Sequence, residues 1–122
     1  MAQEDKELLL KDLCARLPYN VRVEYNGTTF TNIFDVLGIA HGRIALCLPF
    51  MSKTECPLIE EVKPYLFPLS SMTEEQKEDM IKSSCGIGSD KNVFDWYNKN
   101  HFDYRGLIPI GLAIDATGLN IY

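Results

Sequence analysis

The stretch VFDWYNKNHFDYRGLIPIGLAI, residues 93–114, offers more potential buried surface than any comparable window of this chain. It contains the single tryptophan, Trp96, and ends in the mostly apolar run of residues 107–114. Burial of aromatic and aliphatic side chains is the main force that stabilises a fold. The sequence therefore predicts that the core forms around this stretch. Its other aromatic residues are Phe94, Tyr97, Phe102 and Tyr104.

The size and composition of the chain are those of one domain, residues 1–122. With 46% hydrophobic residues, the chain can bury roughly two-thirds of its unfolded surface. The formal net charge of -5 argues against general nucleic-acid binding, because the basic residues are scattered among more numerous acidic ones. The longest uncharged apolar stretches, residues 44–51 and 107–114, fall far short of the roughly 20 residues that cross a bilayer. We therefore expect no membrane association.

The N-terminus and the cysteines indicate a location in the cytoplasm. The opening residues MAQEDKELLLKD lack the basic and apolar regions of a secretion signal. The cysteines form no CxxC pair and have no histidine at zinc-finger spacing. We therefore expect reduced thiols and no bound metal or cofactor. The cysteines are Cys14, Cys47, Cys56 and Cys85.

Hydrophobic periodicity predicts an N-terminal helix followed by a three-stranded antiparallel meander. Residues 4–17 have leucines at helical spacing, and Pro18 follows as a stop signal. From Asn20 the period changes to two, and the Asn-Gly pair at 26 and 27 predicts a hairpin turn into a second strand over residues 28–36. The short apolar run of residues 43–48 predicts a third strand. The intervening residues, LGIAHG at 37–42, are expected to form the second turn.

Two further helices and an extended C-terminal segment are predicted after the sheet. Thr73 and Gln76 form a capping box that begins the first helix, and the second begins near residue 89. The second helix either gives way to an extended chain at His101 or continues to a C-terminal cap at Gly106. Residues 107–114 contain proline and glycine and are expected to be an edge strand or an irregular buried segment. The predicted fold is a single α+β domain.

The residues most suited to chemistry are His101, Asp103 and Arg105. A histidine beside a carboxylate can act as a general acid or base, yet no serine or cysteine stands at a recognisable nucleophile motif. The structural alternative is an ion pair of Arg105 with Asp103 or Asp95, and we favour it over catalysis. The GxG of residues 86–88 lacks the flanking residues of a phosphate loop and is interpreted as a connector.

The aromatic residues of the second half permit two interpretations. A buried core cluster is the default. An exposed patch that binds a partner is the functional alternative, because tyrosine and tryptophan are favoured in binding hot spots. The set comprises Tyr65, Phe67, Trp96, Tyr97, Phe102 and Tyr104.

The segments EEVKPYLFPLSSMTEEQKE, residues 60–78, and FDWYNKNHFDYRGLIPIGLAID, residues 94–115, are distinctive. They resemble a family of small proteins encoded by phages, prophages and mobile elements of gut Bacteroidetes. The family pattern runs approximately KPYLRPMSSMTEEE and then DWLNxxHFDYRGLIxxGLALEAPEGMY. The resemblance implies a phage or mobile-element origin and brings no established activity with it. The chain departs from the pattern at Phe67, at Ile110 and over residues 116–122.

We therefore expect a non-enzymatic accessory protein that acts by binding a host protein in the host cytoplasm, as an antagonist of host defence. One alternative is sequestration of a small host molecule, such as a nucleotide signal, in a pocket of Trp96, Tyr104 and Arg105. Another is a small enzyme that uses His101 and Asp103. Association into a homo-oligomer is left open. The predicted binding residues are Trp96, His101, Asp103, Tyr104 and Arg105.

Overall fold

A computed structural model describes residues 2–26, 33–48, 54–83 and 89–122, with side chains from residue 92 onward in the last range. The predicted α+β fold is confirmed. The helices are α1 (Gln3–Arg16), α2 (Glu74–Ser83) and α3 (Ser89–Lys99), and short 3-10 turns occupy Leu17–Tyr19, Ile59–Glu61 and Leu69–Ser71. The strands are β1 (Arg22–Glu24), β2 (Ile33–Ala40), β3 (Arg43–Cys47), β4 (Thr54–Glu55), β5 (Lys63–Pro68), β6 (Phe102–Asp103) and β7 (Ile114–Asp115).

Some predicted features lie outside the described residues. The hairpin turn after Asn26 and the first part of the second strand fall on residues 27–32. The GxG connector and Cys85 fall on residues 84–88.

Helix α1 packs on the sheet through a stripe of residues at helical spacing. Its first turn is acidic and Arg16 lies in its last turn, as the helix dipole favours. Leucines of the stripe join strand residues in the main hydrophobic core. The stripe also contains an ion pair, which periodicity alone does not predict. Its buried residues are Leu9, Asp12, Leu13 and Arg16.

The strands form one mixed sheet in the order β4-β3-β2-β1-β5-β6, and β7 also pairs with β5. Strands β1, β2 and β3 form the predicted antiparallel meander. Strands β4 and β5 extend it antiparallel on either side, whereas β6 and β7 run parallel to β5. The prediction of three strands is too low. Strands β4, β6 and β7 have two residues each and carry no alternating pattern, and β5 shows none because side chains on both of its faces are buried.

The turn between β2 and β3 is tighter than the sequence predicts. The turn expected over residues 37–42 is wrong, since β2 continues to Ala40 and the turn consists of His41 and Gly42. These two residues have φ of 53° and 73°. Positive φ at both central positions is the turn geometry that matches the twist of paired strands.

A β-bulge in β2 interrupts the alternation of buried and more exposed side chains along this strand. Phe34 and Val36 are buried on one face, and the register with β3 shifts between Val36 and Gly38. The extra residue, Leu37, is 59% exposed. A bulge of this kind bends a strand and redirects the side chains that follow it.

Strand β5 is central because both of its faces are buried. Leu66 belongs to the main core between α1 and the inner face of the sheet. Tyr65 belongs to a smaller cluster with Ala116 and Ile121. Successive side chains of a strand point to opposite faces, so the smaller cluster lies on the outer face.

The segment after β6 is irregular, which agrees with the second of the two expectations rather than with an edge strand. It is buried at its two ends and exposed over residues 109–111. Turns and bends occupy residues 107–113, while Leu107, Leu112 and Ala113 lie in the main core. Residues 93–114 therefore contribute these three residues to the main core, whose other buried members come from the first 66 residues. The prediction that the core forms around this stretch is thus too strong. Among the described residues, no helix is both long and apolar enough to cross a membrane.

We expect Leu66→Ala to lower the free energy of unfolding by about 2–5 kcal/mol. The substitution removes a fully buried side chain from the strand that pairs with β1, β6 and β7. Urea unfolding followed by circular dichroism measures the loss. The matched control is Leu69→Ala, at a leucine that is 41% exposed, and it should change stability by less than about 0.5 kcal/mol. Equal losses in the two variants would contradict the central position of β5.

Candidate functional site

Helix α3 ends at Lys99, and the chain turns sharply at His101 into β6. His101 has φ of 63°, a left-handed conformation in which histidine is enriched among residues other than glycine. The carbonyl of His101 accepts a hydrogen bond from the amide of Phe67 at 2.8 Å. Of the two alternatives that the sequence leaves open, the extended chain after His101 is the one observed.

Trp96 joins the two later helices to the sheet. Its ring is buried and stacks on Phe102, with ring centres 5.5 Å apart and an interplanar angle of 9°. Its Nε1 donates a hydrogen bond to Asp79 Oδ2 of α2 at 2.7 Å. The edge of Trp96 lines a cleft of about 390 Å³ between α2 and α3.

Asp103 stabilises the turn that follows β6. Its Oδ1 accepts the amide of Leu107 and its Oδ2 accepts the amide of Ile108, each at 2.9 Å. Arg105 bonds instead to Asp12, with Nη1 at 2.8 Å from Oδ1. The predicted ion pair of Arg105 with Asp103 or Asp95 is therefore wrong, because the guanidinium of Arg105 pairs with Asp12 of α1.

A buried ion cluster consists of Asp12, Arg16 and Arg105. Arg16 Nε donates to Asp12 Oδ2 at 2.8 Å and Arg16 Nη2 to Asp12 Oδ1 at 3.1 Å. The side chains of Asp12 and Arg16 are fully buried, and that of Arg105 is 16% exposed. Arg16 Nη2 also donates to the carbonyl of Phe102 at 2.6 Å. Charges buried at this depth are tolerated only when they are paired and hydrogen-bonded.

Above this ion cluster lies the aromatic surface, which we define as Phe94, Tyr97 and Tyr104. The ring centre of Tyr104 is 5.1 Å from that of Phe94 and 5.5 Å from that of Tyr97. The guanidinium carbon of Arg105 is 4.5 Å from the centre of the Tyr104 ring, within the range of a cation–π contact. Phe94 is 48% exposed. The aromatic surface is therefore packed from below and open on one side.

On the opposite side of the His101 turn lies the histidine–tyrosine cleft, of about 510 Å³. The rings of His101 and Tyr122 stack with centres 3.7 Å apart. The hydroxyl of Tyr122 accepts the amide of Arg22 at 3.0 Å and donates to the carbonyl of Tyr65 at 2.7 Å. The cleft is lined by Tyr19, Asn20, Arg22, Asp35, His101 and Tyr122.

The surroundings of His101 keep its imidazole neutral. Burial lowers the pKa of His101 to about 4, and the positive charges of Arg16 and Arg22 act in the same direction. Its Nδ1 is buried and has no hydrogen-bond partner in the part of the chain that the structure describes. Burial likewise raises the pKa of the Tyr122 phenol. At neutral pH the cleft therefore presents an uncharged imidazole and an uncharged phenol.

The structure distributes the predicted binding residues over three places. Trp96 and Asp103 are buried in structural contacts, Tyr104 and Arg105 lie at the aromatic surface, and His101 lines the histidine–tyrosine cleft. Tyr104 and Arg105 contact each other as expected for a shared site, whereas the ring of Trp96 is covered by Phe102.

Sequence reasoning missed the residues that surround these places. Asp12 and Arg16 have the four-residue spacing of a helical ion pair, so a signal existed. Arg22 and Asp35 are direct partners across β1 and β2, but their register depends on the turn between the strands. Tyr122 has no local signal, because its contacts are all with distant parts of the chain.

Neither a metal site nor a relative guides the functional assignment. The described residues contain no group of three or more histidine, cysteine, aspartate or glutamate side chains placed to hold a metal ion. Cys14, Cys47 and Cys56 are free thiols. Comparison with protein-family models, with curated proteins and with solved structures finds no match for this chain.

Protonation of His101 should destabilise the protein as the pH falls from about 6.5 to about 4. In this window the unfolded chain takes up a proton at His101, whereas the folded chain excludes it, since its pKa is lowered from 6.5 to about 4. Stability from this group is thus complete above pH 6.5 and declines below it. Urea unfolding at several pH values should give a shallower decline for His101→Asn, because asparagine tolerates positive φ and does not titrate. Identical pH profiles for the two proteins would refute this role of burial.

Replacing Asp12 should be far more costly than replacing an exposed acid on the same helix. Asp12→Asn leaves two guanidinium groups without their carboxylate, one of them fully buried, and we expect a loss of about 3–5 kcal/mol in the free energy of unfolding. Glu7→Gln, at an exposed position of α1, is the control and should cost less than about 0.5 kcal/mol. Chemical denaturation measures both losses of stability. A loss below about 1 kcal/mol for Asp12→Asn, which is the contribution of an exposed ion pair, would count against the ion cluster.

Proposed function

We propose that this chain is a non-enzymatic accessory protein of phage or mobile-element origin that binds a host protein in the host cytoplasm. The aromatic surface of Phe94, Tyr97 and Tyr104 is the binding region. The observation that carries the proposal is the exposure of Phe94, which is 48% open to solvent although its ring packs against Tyr104. The origin is inferred from the resemblance of residues 60–78 and 94–115 to phage-encoded proteins.

The mutual packing of the rings in the aromatic surface favours a binding role. A single exposed phenylalanine is ordinary on a protein surface. Here the exposed ring is continuous with Tyr97 and Tyr104, which are partly buried and mutually stacked. Side chains that are already ordered lose little conformational entropy when a partner binds, so more of the contact energy appears as affinity.

The chemistry of the aromatic surface points to a protein partner. Its exposed part is a hydrocarbon ring bordered by tyrosines, the residue types that dominate protein–protein hot spots. Arg105 is paired with Asp12, which also pairs with Arg16, so the ion cluster carries one positive charge more than its single carboxylate offsets. One excess charge falls short of the clustered Lys and Arg that phosphate contacts require, and the chain as a whole has a net charge of -5. This region best fits an apolar side chain of a host protein. In keeping with the phage origin, that protein is one of the defence proteins of the host.

The arrangement of His101 and Asp103 weighs against a small enzyme. The two carboxylate oxygens of Asp103 accept backbone amides, and His101 stacks on Tyr122. A catalytic histidine must lie within hydrogen-bond reach of the proton that it abstracts, and a carboxylate commonly orients its ring. In this geometry Asp103 is committed to the turn that it stabilises.

Sequestration of a small host molecule is the second candidate function. The observation that favours it is the histidine–tyrosine cleft, whose volume of about 510 Å³ lies within the range of small-molecule sites. This location replaces the pocket expected from Trp96, Tyr104 and Arg105.

The test is capture of partners from host lysate by the purified protein and by its Phe94→Ala variant. We expect the wild-type protein to retain a host protein and the variant to lose at least about 90% of it, since truncation of a central hot spot costs about 2 kcal/mol or more. Quantitative mass spectrometry measures the captured protein. Light scattering on the purified protein alone shows whether the bound species is a second copy of this chain.

The matched control is Leu37→Ala, which removes an exposed side chain from the bulge of β2 rather than from α3. It should capture as much host protein as the wild type. Retention of the same partner by Phe94→Ala, or its loss from both variants, would exclude the aromatic surface as the binding region.

A further inference from the structure

Two residues with left-handed backbone help to shape the histidine–tyrosine cleft. Asn20 and His101, two of its six lining residues, have φ values of 58° and 63°. Asparagine and histidine adopt this conformation more readily than most residues other than glycine, and His41 and Asn120 adopt it outside the cleft. Asn20 and His101 bring the end of the turn Leu17–Tyr19 and the end of α3 to the same cavity.

The charges that line the cleft cancel. Arg22 Nε lies 2.9 Å from Asp35 Oδ1, and the two side chains are 33% and 30% exposed. His101 is neutral at physiological pH. Arg16, which shares the carboxylate of Asp12 with Arg105, is fully buried and does not line the cleft. A phosphate or carboxylate in the cleft would meet the carboxylate of Asp35, and a cation would meet the guanidinium of Arg22. The lining therefore favours an uncharged group.

The Arg22–Asp35 pair still offers a donor beside an acceptor. Arg22 uses Nε for Asp35 and Nη1 for the carbonyl of Ile121. Asp35 uses Oδ1 for this pair. Among the described residues, Arg22 Nη2 and Asp35 Oδ2 thus have no hydrogen-bond partner and are available to a ligand. The side-chain amide of Asn20 lies at the edge of the same cleft. Tyr19 adds aromatic surface against which a flat ring can lie, whereas one face of the Tyr122 ring is already covered by His101.

We infer that the histidine–tyrosine cleft binds a small planar heterocycle of the nucleobase class, with Arg22 and Asp35 bonding to adjacent acceptor and donor groups on its edge. Nucleobases combine a flat, uncharged ring with neighbouring hydrogen-bond donors and acceptors, which is what this lining can satisfy. The inference specifies the ligand of the second candidate function, and it is independent of the aromatic surface at Phe94.

The direct test is an NMR titration of the isotopically labelled protein with adenosine, guanosine, cytidine and uridine, each up to its solubility limit. We expect at least one nucleoside to cause saturable shifts at the amides of Asn20, Arg22 and Asp35. Asp35→Asn should weaken that binding by about tenfold or more, because the acceptor oxygen loses its charge and an amide donor takes the place of Oδ2. Glu24→Gln, on the same face of β1, is the matched control and should bind as the wild type does.

Asn20→Gly provides a second variant that keeps the left-handed backbone and removes only the rim amide. It should weaken binding by a smaller factor than Asp35→Asn. The spectra of the unliganded variants show directly that each is folded. Phe94→Ala should leave nucleoside binding unchanged.

Three outcomes of the titration would overturn the assignment. The first is the absence of shifts with all four nucleosides, and the second is equal affinity of the wild type and Asp35→Asn. The third is binding of a nucleoside 5′-monophosphate more than about tenfold tighter than binding of its nucleoside, which would make the phosphate the main determinant of affinity. A second experiment distinguishes failure of the nucleobase assignment from failure of the sequestration function. The protein is incubated with a small-molecule extract of host cells, and the retained compounds are identified by mass spectrometry. Retention of a compound other than a base, lost in Asp35→Asn, would overturn the base assignment while leaving sequestration intact. Retention of nothing, together with silent spectra, would overturn both.

Discussion

The carboxylate of Asp12 joins the two halves of the chain. It accepts hydrogen bonds from Arg16, one turn further along α1, and from Arg105, 93 positions away in the sequence. Arg16 in turn donates to the carbonyl of Phe102 in β6. Apolar contacts are non-directional, whereas these bonds have defined geometry. They therefore set the orientation of α1 relative to β6, and with it the positions of Tyr104 above the ion cluster and of His101 beside the cleft.

Local signals predicted the part of the fold that local interactions build. Helix α1, the meander of β1 to β3 and the capping-box start of α2 are all visible in the sequence, and the Thr73–Gln76 reciprocal bonds are present as expected. Strand β5 escaped prediction because it is buried on both faces and so shows no alternation. Its parallel partners have two residues each and are held by contacts distant in sequence, which no periodicity reports.

In the candidate site, too, contacts between residues distant in sequence were not predicted. Arg105 was assigned to acids near it in sequence, although its partner lies in the N-terminal helix. The role of Asp103 had a readable signal, since an aspartate three positions before Gly106 is typical of a turn. The stack of His101 on Tyr122 had none, because it joins two segments through the outer face of the sheet. Sequence reasoning thus singled out these residues but did not predict the partners that they contact in the structure.

The position of Trp96 has a practical consequence. It is the single indole of the chain, and it is buried between Phe102 and the carboxylate of Asp79. Its fluorescence therefore arises from one environment, at the junction of α2, α3 and β6. The molecule carries a built-in optical reporter of whether this junction is closed, and no label has to be attached to follow it.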